Sequence, residues 1–263
     1  GTNCNLTTIF PYSKPDITSW RGAPISTFDN NMRAMNDSGN PYGFNNVDTH
    51  MIKNREWGGI VYLSHSKYGT CDDGECTSVK LNSNSNYITG CGPQAIDSTS
   101  EGTLCNSYNT SLGILASTTG NIYGVYDMSG GTLEYTMGNA ASKDGKTMMS
   151  GTLEKNYNSG YSGIVFEDGQ YINFTGEYEY PEEKYYDKYS FAEDSLLSRG
   201  KLGESAKEVR GWYDLGIYLV RSLYPWIYRG GIYDSRYLPG IFALNGNGGF
   251  ASVTGTSRFV ITN

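Results

Sequence analysis

Histidine, charge, long apolar runs and late cysteines are all scarce in this 263-residue chain. The two histidines, His50 and His65, complete no recognised ligand spacing with the thiols, so no zinc site is expected. Charged residues make up 18%, and 20 basic against 27 acidic side chains leave a net charge of −7. That sign excludes an electrostatic grip on phosphate backbones as the main activity, and nucleic acid is not an expected partner. Apolar runs such as residues 60–63 and 217–220 fall far short of the ~20 residues of a membrane span. Membrane insertion by this fragment is therefore not expected. No charged-then-apolar leader opens it, so any signal or anchor was never present or has been removed.

All five cysteines (Cys4, Cys71, Cys76, Cys91 and Cys105) precede residue 106, which excludes thiol chemistry from everything after it. Cys71 and Cys76 bracket a tight turn that a disulfide could close, Cys91 and Cys105 are a second candidate pair, and Cys4 is left over. Spacing does not fix connectivity, but paired cysteines imply an oxidising, extracellular setting. Asp72, Asp73 and Glu75 raise the question of calcium. They lack the alternating-oxygen loop of patterned calcium sites, so a solvated turn is expected and no metal or cofactor is assigned.

What the chain has in quantity is Gly (34) and Tyr (23), together with abundant Ser and Asn. Tyr offers large rigid contacts and the small polar residues adaptable ones, the palette of recognition surfaces. The same palette suits a loop-rich secreted fold. Helical spacing is read over residues 29–35 and 49–64, where Met51, Ile52, Trp57, Ile60 and Val61 share a face and Leu63 extends it. Residues 66–120 read as an irregular surface excursion. Residues 176–189, which mix acids and tyrosines around Pro181, read as an exposed loop, and residues 212–220 as a packed segment. Beyond Pro225, strand-like runs at 240–244 and 258–261 alternate with Gly and Asn clusters. The N-terminal helices need an apolar surface and the C-terminal strands need a cover, so both ends belong to one unit: a lead-in over 1–27 and a single domain over 28–263.

Three segments resemble one family in order and spacing. Residues 50–63 (HMIKNREWGGIVYL) are similar to its second helix. Residues 120–135 (GNIYGVYDMSGGTLEY) look like the GLYDMSGNVWEW signature of formylglycine-generating-enzyme-type domains. Residues 226–231 (WIYRGG), followed by 240–244 (GIFAL) and 257–261 (SRFVI), look like their closing RGGSW and IGFR pattern. Read physically, Gly130 and Gly131 supply positive φ in a turn where the Asp127 side chain can accept backbone N–H bonds. Trp226, Phe242 and Phe259 are aromatic anchors near it. Arg229 and Arg258, with Gly230 and Gly231 beside the first, need carboxylate partners if buried, and Glu134 and Asp127 are the natural candidates. For all of these the expected role is scaffold.

The resemblance implies an α+β, C-type-lectin-like fold, with a small twisted antiparallel sheet, two helices and long loops. It also implies two kinds of function. One is the copper-dependent oxidase, whose paired cysteines follow the RGG motif. Residues 232–253 contain no cysteine, so soft Cu(I) has no thiolates there and that reaction is rejected. The other is the retroelement-diversified variable protein, a surface-displayed binder with exposed variable positions in this same segment. Ile232, Tyr233, Asp234, Ser235, Arg236, Tyr237 and Leu238 lie between Gly231 and Gly240. Asn245 and Asn247 follow the Phe242 anchor, and Val253 and Thr254 come next. With Tyr228 these are the expected contact residues for a protein or cell-surface ligand. Such domains occur behind a pilin-like leader helix, which implies an extracellular head on a bacterial or phage-encoded cell surface. The alternatives are a structural pilin head and, more remotely, an enzyme reusing the fold without copper. For the enzyme, His65 beside Ser64 and Ser66 is the only pointer, and neighbouring helical residues are expected to diverge.

Overall fold

The computed structural model describes residues 10–13, 19–81, 107–141, 165–167, 170–172, 181–190, 226–231 and 240–263. Its elements in chain order are α1 (Ile25–Arg33), β1 (Asp48–Met51), α2 (Asn54–Ser64), β2 (Cys71–Asp72), β3 (Glu75–Cys76), β4 (Leu133–Ala141) and β5 (Val165–Glu167). Then come β6 (Gln170–Ile172), β7 (Asp187–Ser190), β8 (Trp226–Arg229), β9 (Leu244–Asn247), β10 (Gly255–Ser257) and β11 (Phe259–Thr262). The class is α+β.

β4 organises the largest sheet, whose order is β10-β4-β8-β9 with β7 also on β4. One edge of β4 pairs antiparallel with β8, and a bulge falls between Thr136 and Asn139. The other edge carries three partners in turn. β10 runs parallel against residues 133–135, Lys53 bridges Met137, and β7 runs parallel against residues 138–141. The sheet is therefore mixed, where a purely antiparallel one was expected: each parallel partner returns to β4 from a distant part of the chain, a pairing that local sequence pattern does not encode.

The expected helix over 49–64 divides. Residues 48–51 pair in register with residues 259–262 as the two-stranded β1–β11 sheet, and helix begins only at Asn54. Pairing with a strand some 200 residues away overrides the local periodicity. Within α2, Trp57 and Val61 are buried, but Leu63 is 61% exposed. At 3.6 residues per turn Leu63 sits about 120° around the helix from Trp57, so the stripe ends without it. α1 begins at Ile25, earlier than expected, with Pro24 just before it, and its Arg33 pairs with Asp29 at 3.0 Å. The lead-in boundary at residue 27 thus falls inside a helix, and Ala23 and Ile25 are fully buried.

The stretch expected as an exposed loop over 176–189 is also different in its described part. Tyr186, Asp187 and Tyr189 are buried, and β7 joins the sheet there. Asp187 is held by Arg55, whose backbone N–H donates to Oδ2 at 2.7 Å and whose Nε lies 3.3 Å from Oδ1. Asp187 and Tyr189, which looked solvated, are held by Arg55 and Asn54 of α2, whereas Glu182, Glu183 and Lys184 are exposed as expected.

Two apolar clusters flank the sheet. One joins Phe28 and Met32 of α1 to Met51, Tyr135, Met137, Trp226 and Tyr228; the other joins Trp57 and Val61 of α2 to Ile52, Met128, Ile241 and Phe242. Residues 20–25 meet residues 249–256. Gly22 N donates to Ser252 O (2.9 Å), Ile25 N to Gly249 O (3.0 Å) and Thr256 Oγ1 to Trp20 O (2.7 Å). Cys71 and Cys76 face each other across the β2–β3 hairpin and form a disulfide. Cys4, Cys91, Cys105 and the segment 212–220 lie outside the described residues.

Candidate functional site

The segment from 232 to 239, which holds Ile232, Tyr233, Asp234, Ser235, Arg236, Tyr237 and Leu238, lies outside the described residues; its two ends do not. The chain leaves β8 through Gly230 and Gly231 and returns at Gly240. The Gly230 carbonyl accepts two hydrogen bonds, from Gly240 N at 3.1 Å and from Gly130 N at 2.8 Å. The first closes the segment at its base, and the second ties that base to the turn before β4. Gly230 has φ of 79°, and a Cβ there would stand 3.3 Å from the Met128 carbonyl, so side chains are disfavoured twice over.

Buried donors hold the returning chain to α2 and β8. Trp57 Nε1 donates to Ile241 O at 3.0 Å. Arg229, fully buried, donates from Nε to Asn54 Oδ1 at 2.8 Å and from Nη1 to Phe242 O at 3.3 Å. These contacts and the two glycine bonds make a neck whose parts come from α2, the 127–131 turn, β8 and residues 240–242. In the 127–131 turn Gly130 and Gly131 adopt positive φ as expected, and Asp127 does so too (59°).

Arg258 pairs with Glu134, as expected from their chemistry. Glu134 is buried, and burial pushes its carboxyl up to about 7, with Arg258 opposing the rise and Asp127 adding to it. Phe242 and Trp226 are buried and Phe259 packs against the first cluster.

The expected contact residues within the described part divide. Val253 is 56% exposed, and Asn245, Asn247 and Thr254 are half-buried. Asn247 Oδ1 accepts Gly249 N at 2.8 Å and lies 3.1 Å from the Tyr135 hydroxyl, so it shapes its own turn. Tyr228 is not a contact residue. β8 is flanked by β4 and β9, and Tyr228 is 3% exposed with its ring 4.1 Å from that of Tyr135. Burial beside Tyr135 raises its hydroxyl well above the ordinary tyrosine range.

The Ser64–His65 pair also differs from expectation. His65 ends α2 with non-helical backbone, which turns its Nδ1 to within 2.9 Å of Ser64 Oγ. Ser64 is 1% exposed and donates to Val61 O, however, so a substrate has no approach to that oxygen. A denser polar cluster, not singled out in the sequence as a site, surrounds His50. Its Nε2 lies 3.0 Å from Glu56 Oε1; its Nδ1 lies 2.9 Å from Asp48 Oδ2 without an aligned hydrogen bond. Lys53 Nζ completes it at 3.0 Å from Glu56. Among the described residues no group of three or more His, Cys, Asp or Glu side chains could hold a metal ion, and no helix is long and apolar enough to cross a membrane.

An α+β chain built around a closed glycine neck is the class these features define. No protein-family model matches the sequence, and no curated protein matches it.

Proposed function

We propose that this chain is a non-catalytic, surface-displayed binding protein of the retroelement-diversified kind, with a C-type-lectin-like fold of the formylglycine-generating-enzyme type. It takes a protein or cell-surface ligand through residues 232–238 and the neighbouring 245–254 stretch. The observation that carries the reading is the neck: one carbonyl, Gly230 O, fixes both the exit and the return of the segment. Side chains between those points can then change without moving the base. The Tyr, Ser, Asp and Arg of the segment suit contact rather than bond-making, because rigid aromatics supply affinity and polar neighbours supply choice. The Cys71–Cys76 disulfide agrees with an extracellular location, and a pilin-like helix ahead of this fragment would anchor it there.

Sequencing the same locus in related strains tests the proposal. Substitutions are expected to concentrate at 232–238 and 245–254, at positions matching adenines in a nearby template repeat. Uniform drift across the domain would replace the binder with a structural pilin head.

A further inference from the structure

Glu134 is the most deeply buried acid near the neck, at 4% exposure. Its Oε1 accepts from Arg258 Nη2, while its Oε2 is buried without a hydrogen-bond partner, as is Arg258 Nε. The charges that face it are Arg258 from the β10–β11 junction, Asp127 from the preceding turn and Arg229 directly opposite on β8. Those of α2 are engaged elsewhere: Arg55 with Asp187, and Lys53 and Glu56 with each other.

From Glu134 a line of contacts runs to the neck. The Arg258 guanidinium carbon lies 5.6 Å from the Trp57 ring centroid, a cation–π contact. Trp57 in turn donates to Ile241 O, and its ring edge lies 3.6 Å from where a Gly230 Cβ would stand. We infer that Glu134, Arg258 and Trp57 are positioning residues for the binding segment: ionised Glu134 holds Arg258 over Trp57, Trp57 holds the neck closed, and protonation of Glu134 loosens it. The importance of this brace for binding rests on the function proposed above. The closure of the neck does not, and can be measured without a ligand.

Linkage gives the brace a signature that plain structural support lacks. Glu134 titrates at about 7 in the folded protein against 4.5 ordinarily. Between those values the folded chain holds a proton that the unfolded chain does not, so this group's contribution to stability is greatest below that window and falls as pH rises through it. Acidification therefore loosens the neck while, through the same carboxyl, favouring the global fold.

The test is amide hydrogen exchange on the whole chain at about pH 8 and about pH 6, corrected for intrinsic exchange. Protection at Gly130 and Gly240 is expected to fall about tenfold at the lower pH, the equivalent of one pKa unit of differential interaction. Amides paired between β4 and β8 are expected to hold, and this group's effect on the melting temperature to be upward. Glu134→Gln should leave the neck equally loose at both pH values. Should that variant not fold, Trp57→Phe keeps a ring under Arg258 but removes the donor to Ile241, and should expose Gly240 at the higher pH to about the wild-type level at the lower. Equal wild-type protection at both pH values, loss spread evenly through the sheet, or a pH response surviving in Glu134→Gln overturns the brace. Uniform drift among strains would sink the binding role and leave this result standing; strain variation confined to 232–238 with flat exchange would sink the brace alone.

Discussion

The neck and the 107–126 segment solve the same problem, satisfying a turn-rich backbone, in opposite ways. Around the neck the side-chain bonds join residues far apart in sequence: Trp57 to Ile241, Arg229 to Asn54, Glu134 to Arg258. In 107–126 most bonds are local, such as Thr110 to Ser107, Val125 to Thr118 and Tyr123 to Asn121, with Lys80 N to Leu115 O as an outside tie. The local solution leaves Leu115, Ile122 and Tyr123 exposed, whereas the long-range one buries Trp57, Trp226 and Arg229 completely. Local turns can be edited without consulting the core, but a base held by distant partners is a property of the whole fold.

The largest contrast between the two regions should come from truncating aromatics. Trp226→Ala removes a fully buried side chain from the first cluster and should cost about 3–5 kcal/mol by denaturant unfolding. Tyr123→Ala, at a position 87% exposed, should cost less than about 0.5 kcal/mol. Similar costs at both sites would erase the distinction.

Glycine substitution sharpens it. Gly230 and Gly120 both have positive φ, 79° and 66°, but a Cβ on Gly230 meets the Met128 carbonyl at 3.3 Å while one on Gly120 meets nothing within 4 Å. Gly120→Ala should cost about 1 kcal/mol from backbone strain alone, and Gly230→Ala about 2–3 kcal/mol because the neck must also shift. Equal losses in equilibrium unfolding would mean that the neck yields freely.

The smallest effect separates the neck's acid from the one at the start of α2. Burial pushes the Glu56 carboxyl up, but bonds from His50 and the Lys53 N–H, with the His50 charge, outweigh it and bring it to about 2. Its folded value lies below the ordinary 4.5, so its stabilisation is present above that value and is lost as pH falls toward 2. Glu56→Gln should lower stability near neutrality and flatten the acid limb of the stability–pH curve, leaving the slope near neutrality, where Glu134 acts, unchanged. A change confined to neutral pH would contradict the assignment.

Much of the core was legible in the sequence and little of its wiring. The Cys71–Cys76 bridge and the need of Arg258 for a carboxylate follow from spacing and charge chemistry, and the α+β class from the family resemblance. Tertiary pairing was not legible. Residues 49–51 are helical by periodicity and strand by partnership, and Tyr186, Asp187 and Tyr189 look solvated yet are buried where β7 meets β4. Tyr228 misleads for a similar reason: tyrosine suits both a contact surface and a core, and only the strands on either side of β8 decide between them. The WIYRGG run contains Gly230 but does not reveal it as the neck's central acceptor, because the accepting atom is a backbone carbonyl.

Randomising residues 232–238 while leaving every other position unchanged is the most direct test, with the unfolding midpoint and Gly240 amide protection measured across the variants. If the segment is displayed from an independent base, most variants should fold with midpoints and Gly240 protection near those of the parent. Widespread loss of folding, or Gly240 protection that tracks the inserted residues, would mean that the segment is part of the base and would contradict the account.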